Sequence, residues 1–534
     1  MESDTYKNNK EKTKMKKISV LLLGAGLLGL SSCNDFLDRL PDDRAEVNDF
    51  EKATQLVSSA YSTASPAFMM EWSSDNVTDN GKTFYYQTDQ DQVYRWKAVN
   101  TTGNDDPQHV WGYAYYAVGN ANQALEDLGK VKSGNIEAVR AEALLCRAWA
   151  VFSIANAFCM AYDESKADQY LGLPYPKEAN RSVDKRGTLR ELYENINADI
   201  EAALPHVSDE YMTVPKYHFN PRAAYAFAAR FNLYYHKWDK ALEYATKALG
   251  TQPASLMRTV SRYKSLSGGR REIHNNYISS SENANFMLQT AVSYLGYATT
   301  SSAFNRYNYA NYLVDRELYW AEMPWGTGSI NNTLYETKLL YGPNQVVVYP
   351  KLADEWEYTN AAKTRGYIHV VDPVLTADET LLVRAEAEIL LKKYTEALAD
   401  MNTWVSVHCA PSSGTATRPT LTIASIKAFF DSQETVPEKM ESKDQMGVKK
   451  ALHPQGFTID ETQTNLLYAL LQMRRLETCM QGLRFMDIKR YGIAFTHLLD
   501  GENPIYFKTG DLRGALQLPG DVIEAGMEPN PREN

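Results

Sequence analysis

Apolar residues recur every three or four positions over two long zones of the chain, which is the spacing of one face of an α-helix. The first zone runs from about residue 111 to 249 and the second from about 381 to 491. Between them, residues 250–377 have no sustained helical period and contain several turn sequences. The stretch NQVVVYP at 344–350 is a candidate short strand. The pattern therefore predicts a largely helical protein with one long insertion.

Two segments inside the helical zones share a short pattern. YYHKWDKAL at 234–242 and LLKKYTEAL at 390–398 align as Lys, aromatic, any residue, charged, Ala, Leu. Paired helices with alanine at the crossing and an aromatic ring at the turn are typical of tetratricopeptide-like (TPR-like) repeats. We expect an all-α, TPR-like superhelix of helix pairs with long loop insertions and a few short strands. Residues 33–534 should form one domain.

The N-terminal segment has a different pattern. Lys16 and Lys17 precede an apolar run over 18–30, which ends at Ser31-Ser32-Cys33. The run is too short for a spanning helix, which needs about 20 residues. The segment Leu30-Ser31-Ser32-Cys33 resembles a bacterial lipobox. Residues 1–32 are therefore interpreted as a lipoprotein signal peptide, with Met15 as the alternative start. Cys33 would carry the lipid; an ordinary signal peptide is the other interpretation.

Charge and cysteine content narrow the class of protein. The chain has 66 Asp and Glu against 56 Lys and Arg, a net charge of −10, and no long basic run follows the signal segment. No nucleic-acid partner is therefore expected. The cysteines after Cys33 form no CxxC or Cys/His cluster, which argues against structural zinc and a disulfide framework. They are Cys146, Cys159, Cys409 and Cys479.

The sequence contains no HExxH, GxSxG or phosphate-loop motif, so we predict no enzyme, no catalytic residue and no cofactor. Glycosidase-type carboxylate pairs depend on distances in space, and a hydrolase stays the alternative. Asp and Asn residues at 75–81 and 89–91 include calcium-type ligands but lack the alternation of a known calcium loop. We predict no metal site and leave calcium open there.

Tyrosine is unusually frequent, with 35 Tyr against 17 Phe, and there are nine Trp. Such side chains combine a flat apolar face with a polar tip, which suits half-exposed binding surfaces. Aromatic residues are concentrated in two stretches, at 85–100 and at 294–325. These two stretches are therefore the candidate ligand loops.

Several motifs, taken in order, resemble the SusD/RagB family of nutrient-binding outer-membrane lipoproteins. The most specific is RRLE…GLRFMDIKR at 474–490, which matches the family pattern RR.E…EG.R..D..R at most positions. Gln481 departs from it, since the family usually has Glu there. Other matching segments are CNDFLD at 33–38, AEALLCRA at 141–148, LGLP at 171–174 and LVRAE at 382–386.

The charged residues of the most specific motif have a structural interpretation. Arg474, Glu477, Arg484 and Asp487 are expected to form a paired ion network that clamps the last helix against the repeats. A catalytic role for Glu477 or Asp487 is the weaker alternative.

The resemblance implies a lipid-anchored protein of the outer membrane that faces the cell exterior. Such proteins capture an oligosaccharide, or a peptide in RagB-like members, and pass it to a SusC-like TonB-dependent porin. A helical scaffold that binds only protein partners is a further alternative. The identity of the ligand stays open.

The resemblance also indicates where the ligand would bind. In the family, loops before the first repeat helix and in the middle insertion build the ligand surface, and here these are the two aromatic-rich stretches. Aromatic rings would cover the apolar face of a sugar while polar side chains bind its hydroxyls. The candidate ligand contacts are Trp96, Tyr297, Trp320 and Trp325 for stacking, and Arg95, Asn100 and Asp315 for polar contacts.

Overall fold

The computed structural model describes residues 47–179, 185–266, 268–301, 304–326, 339–341, 346–348, 350–410, 418 and 420–532. The predicted signal peptide and Cys33 lie outside the described residues. The described helices and strands belong to one unit that begins at Asp49. Within the described ranges, no helix has the length and apolar character needed to cross a membrane.

About half of the described chain is helical and the strands are few and short, which confirms the predicted fold class. The helices are α1 (Phe50–Ser58), α2 (Ala67–Trp72), α3 (Thr88–Tyr94), α4 (Pro107–Asp127), α5 (Ile136–Phe158), α6 (Leu189–Ala203), α7 (Pro221–Tyr234), α8 (Trp238–Leu249), α9 (Gly269–Tyr277), α10 (Asn311–Glu317), α11 (Ala377–Leu390), α12 (Tyr394–His408), α13 (Ile423–Ser432), α14 (Glu461–Glu477), α15 (Leu483–Arg490) and α16 (Gly520–Glu524).

Side-chain caps fix where several of these helices begin. At α6, the Thr188 hydroxyl accepts from the Glu191 N–H, and the Glu191 carboxylate accepts from the Thr188 N–H. Asp460 and Gln463 make the same reciprocal pair at α14. Each pair satisfies two N–H groups that the first helical turn leaves without partners.

The two aligned sequence segments form equivalent turns between paired helices. His236 joins α7 to α8 with φ 60°, and Lys392 joins α11 to α12 with φ 61°. The left-handed conformation at both residues reverses the chain within a few residues. Fully buried alanines such as Ala228 and Ala241 then let neighbouring helices approach closely. This arrangement is the predicted TPR-like helix pair.

The strands of the described ranges form four small antiparallel sheets. They are β1 (Thr78–Asp79), β2 (Asn285–Ala291), β3 (Tyr307–Asn308), β4 (Leu339–Tyr341), β5 (Val346–Val348), β6 (Glu355–Tyr358), β7 (Gly366–Thr376), β8 (Phe495–His497) and β9 (Ile505–Phe507). β1 pairs with β3, β4 with β5, β8 with β9, and the largest sheet has the order β2-β7-β6. β5 confirms the predicted short strand.

Two local features differ from the sequence expectation. The insertion contains the short helices α9 and α10, although its sequence shows no sustained period. The sequence at 516–534 has little periodicity, which predicts an extended chain, but α16 follows Pro519 directly. Both differences concern helices of fewer than ten residues, for which a period is difficult to recognise in sequence.

A buried ion network joins the C-terminal helices to the rest of the fold. Arg474 Nε lies 3.0 Å from Asp487 Oδ2 and 3.4 Å from Glu386 on α11. Arg484 Nε lies 2.8 Å from Asp75 Oδ1, which follows α2. Arg474 and Asp487 therefore pair as predicted. The other two members have different partners: Arg484 pairs with a carboxylate from the N-terminal part of the chain, and Glu477 pairs with His408 on α12.

Candidate functional site

The two aromatic-rich loops meet along a short strand pairing. Tyr85 N donates to Phe304 O (2.8 Å), and Arg306 N donates to Tyr85 O (2.9 Å). Next to them β1 pairs with β3, and the Arg306 guanidinium binds Asp79 (Nε to Oδ1, 2.8 Å). Residues far apart in sequence are thus held side by side.

Five aromatic side chains project from these loops into solvent. Their exposed fractions are 64% for Tyr85, 49% for Tyr86, 49% for Tyr294, 40% for Tyr297 and 61% for Phe304. We call these five residues the aromatic surface. Such rings leave flat apolar faces free, which is the chemistry that stacks on a sugar ring.

The turn that carries Tyr297 is tied to the same strand pair, because Asn308 Nδ2 on β3 donates to Ala298 O (3.1 Å). The segment before it is fixed by Asp105, just ahead of α4. The Asp105 carboxylate accepts from the Tyr294 N–H (2.7 Å) and from the Ser293 hydroxyl. Tyr294 and Tyr297 therefore stand on a segment held at both ends.

Asp105 is buried, with 4% of its surface exposed. Burial raises the pKa of its carboxyl to about 7, although the hydrogen bonds from Ser293 and Tyr294 favour ionisation. The neighbouring charges of Asp89 and Asp106 raise the pKa further. The anchor of the Tyr294 segment therefore titrates near neutral pH.

Of the predicted contacts, Tyr297, Asp315 and Asn100 are exposed at the surface. Asp315 is exposed and lines an open groove of about 680 Å³, together with Asn80, Arg316 and Lys443. This groove borders Gly81, at the start of the loop that leads to Tyr85.

The prediction that three tryptophans contact the ligand is wrong, because all three are core residues. Trp96 is 3% exposed, stacks on His497 (ring centroids 4.5 Å apart) and lies against the Arg513 guanidinium (4.8 Å). Trp320 is 5% exposed, and Trp325, at 1%, packs edge-on against another buried tryptophan. A ring enclosed in this way offers no face to a sugar.

The two polar candidates near Trp96 are engaged within the protein. Arg95 lies between Asp91 (Nε to Oδ1, 2.8 Å) and Glu502 (Nη1 to Oε2, 2.8 Å). Asn100 exchanges two hydrogen bonds with Gln92, of 2.7 and 3.1 Å. These contacts hold the loop before α4 in shape.

Of the five residues of the aromatic surface, only Tyr297 is among the ligand contacts predicted from the sequence. The other four lie in the two predicted ligand loops. The sequence prediction also missed Trp356 on β6, which is 55% exposed and is the one mostly exposed tryptophan in the described ranges. A signal for it existed: in EWEY at 355–358, aromatic and acidic residues alternate, which places both rings on one face of a strand.

The polar loops considered for calcium have other roles. Asp75 binds Arg484 and Lys450, and Asp79 binds Arg306. Salt bridges to cations leave these carboxylates unsuited to a metal ion.

One buried group combines metal-type ligands within the described ranges, namely Asp378, His408 and Glu477. His408 Nε2 lies 3.0 Å from Glu477 Oε2 and 3.6 Å from Asp378 Oδ1. Burial opposes ionisation of the Glu477 carboxyl, but the positive charges of His408, Lys351 and Arg258 hold its pKa at about 2. The cations balance the carboxylates, so we interpret the group as an ion network.

Comparison with known proteins agrees with this architecture. A family model described as starch-binding and associating with the outer membrane, SusD-like_3, matches residues 35–233. No curated protein matches the chain.

Solved structures match over most of the chain. A SusD superfamily protein from Bacteroides thetaiotaomicron is 17% identical with a TM-score of 0.60, covering 90% of this chain and 98% of its own. A SusD-like carbohydrate binding protein from Bacteroides vulgatus is 15% identical, with a TM-score of 0.57 and coverage of 86% and 89%. A laminarin binding SusD-like protein is 15% identical, with a TM-score of 0.53 and coverage of 90% and 98%.

At such identities the structural likeness establishes the fold. The family model adds a sequence similarity to SusD-like proteins over residues 35–233.

Proposed function

We propose that this protein is a lipid-anchored lipoprotein of the outer membrane, facing the cell exterior, that captures an oligosaccharide on the aromatic surface. It delivers the captured chain to a SusC-like TonB-dependent transporter. The family description and the laminarin-binding neighbour support a glycan as ligand. The observation that carries the proposal is the group of five exposed rings on two loops joined by hydrogen bonds.

The geometry suits capture of a sugar chain. Tyrosine rings cover the C–H face of a pyranose, and their hydroxyl groups bind the rim of the same or a neighbouring sugar. Because Asp105 and the β1–β3 pair already hold the loops, little ordering cost arises on binding. A weak, reversible complex of this kind suits a protein that passes its ligand on.

The first test is binding of the soluble form, beginning at Asn34, to an array of glycans and peptides, with product analysis of every hit. We expect saturable glycan binding without turnover. Tyr297→Ala should weaken binding, while Tyr116→Ala should not, since Tyr116 is 66% exposed on α4 outside the aromatic surface. Both variants should keep the melting temperature of the wild type.

Each other outcome counts against the proposal in a distinct way. Binding of peptides alone would indicate a RagB-like protein. Binding to no glycan or peptide on the array would favour a scaffold for protein partners. Cleaved products would indicate a hydrolase.

The anchor and the transporter are tested separately in cells. Replacing Cys33 by alanine should abolish labelling with a palmitate analogue and release the protein from the membrane fraction. Co-purification of a TonB-dependent porin with the intact lipoprotein is expected. A protein that stays membrane-bound without Cys33 would contradict the proposed anchor.

A further inference from the structure

A second pair of exposed rings lies on the hairpin formed by β6 and β7. Trp356 and Tyr358 stand two residues apart on β6, so both point to the same face of the sheet. They are 55% and 49% exposed, and their ring centroids lie 6.4 Å apart with an angle of 70° between the planes. β6 is the outer strand of its sheet in the order β2-β7-β6. The two rings therefore form an open corner at a sheet edge.

The Trp356 ring is supported from below by the neighbouring strand. A Cβ atom at Gly366 would lie 2.5 Å from Trp356 Nε1 and 3.0 Å from its Cε2 atom. Any side chain at this position on β7 would push the ring away, so glycine lets the indole rest on the backbone. The ring is held on one side while more than half of its surface stays in solvent, which is the arrangement of a stacking platform.

The chain that enters β6 passes beside the segment that carries Tyr297. A Cβ at Gly296, next to Tyr297, would lie 2.5 Å from the Ala353 carbonyl carbon, so the two backbones are in contact. Arg271 on α9 holds the start of β6 by donating to Asp354 O (3.2 Å) and pairing with the Glu355 carboxylate. From Asp354 to Trp356 the strand advances about 7 Å.

The size of the corner decides between a sugar and a protein as its occupant. Aromatic side chains have about 150–250 Å² of surface each, so two half-exposed rings offer roughly 150–250 Å² together. A stable protein interface needs about 800 Å² on each partner. The Lys363 ammonium lies 5.7 Å from the Tyr358 ring centroid and supplies a donor for hydroxyl groups at the edge of the corner.

We infer that Trp356 and Tyr358 form a second sugar-binding platform, which extends the aromatic surface so that the protein selects long oligosaccharides over short ones. The inference rests on the proposed function. A short oligosaccharide occupies the aromatic surface alone, whereas a longer chain also stacks on Trp356.

The test measures affinity against chain length. The full chain in detergent is titrated with β-1,3-glucan and α-1,4-glucan oligosaccharides from the disaccharide to the octasaccharide. The wild type should bind more tightly as the chain lengthens. Trp356→Ala should bind the octasaccharide roughly two- to tenfold more weakly, the range expected for loss of one aromatic stack, and should bind short chains unchanged.

Two further variants separate the platform from the fold and from the proposed function. Trp356→Phe keeps a ring and should retain part of the length dependence, while Tyr116→Ala should behave as the wild type. If Trp356→Ala binds every length as the wild type does while Tyr297→Ala loses binding, the platform is refuted and the proposed function stands. If the wild type binds neither series, the inference is overturned as well.

Discussion

Replacing Asp75 by asparagine removes one carboxylate from the buried network that holds the C-terminal helices. Asp75 lies 2.7 Å from Lys450 Nζ, 2.8 Å from Arg484 Nε and 3.5 Å from Arg475 Nη2. All four side chains are at most 6% exposed. Glu317 also binds Lys450 and Arg475, at 2.7 and 3.0 Å, but Arg484 depends on Asp75 for its closest ion pair.

The expected loss follows from this geometry. Asparagine keeps the shape of the side chain and an acceptor oxygen, so the packing changes little and the lost quantity is the charge. Removing one partner of a buried ion pair typically costs about 3–5 kcal/mol, since the other charge stays buried without compensation. We expect Asp75→Asn to lower the free energy of unfolding by about that amount.

The same carboxylate predicts a pH dependence. Burial opposes ionisation of Asp75, but Arg475, Arg484 and Lys450 together hold its pKa well below the ordinary value. Its contribution to stability is therefore fully present above the unfolded pKa of about 4 and is lost as the pH falls through the folded pKa. The difference between wild type and Asp75→Asn should shrink in acid.

Denaturant unfolding of both proteins at pH 7 and in acid measures this difference. Asp315→Asn is the matched control, because it makes the same chemical change at an exposed position and should stay within about 0.5 kcal/mol of the wild type. A loss below about 1 kcal/mol for Asp75→Asn would refute the reasoning, because the three cations would then not need this partner.

Three further substitutions test other parts of the structure. Because burial raises the pKa of Asp105 to about 7, ionisation of its carboxyl lowers the stability of the folded protein as the pH rises from about 4 to 7. Across that range the free energy of unfolding of Asp105→Asn should rise by up to about 4 kcal/mol relative to the wild type. A difference that stays constant with pH would contradict this. Trp96→Ala should lose about 3–5 kcal/mol in denaturant unfolding without changing the glycan affinity of the folded protein, because it empties a core position. Gly482→Ala should lower the melting temperature, with a cost of at least about 2 kcal/mol: φ is +76°, and a Cβ would lie 2.8 Å from Ala67 O and from the Met70 Cβ atom. A melting temperature equal to that of the wild type would contradict this last prediction.

The helical fold was predictable because its determinants are local in sequence. Caps such as Thr188 with Glu191 and the alignment that places His236 opposite Lys392 are contained within a few residues. The charges of the C-terminal motif were recognised as a network, but the partner of Arg484 lies 409 residues away, and no local pattern indicates it.

The site was predictable at the level of loops and not of individual rings. Aromatic density marks where rings are concentrated, but exposure depends on what the rest of the chain places against them. Trp96 is covered by His497 and Arg513, which come from the opposite end of the sequence. Trp356 is exposed because it lies on an outer strand, which its alternating sequence indicates once the hairpin is known. Lipidation at Cys33 stays a prediction.

The central claim, capture of a glycan by the aromatic surface, is tested most directly by calorimetric titration of the glycan identified on the array. The wild type is compared with a variant in which Tyr294, Tyr297 and Phe304 are all replaced by alanine, and with Tyr116→Ala. We predict saturable binding by the wild type and by Tyr116→Ala, and the ligand should be recovered without cleavage. The triple variant should show no measurable binding, although its melting temperature should equal that of the wild type. Binding by the triple variant with wild-type affinity would contradict the account.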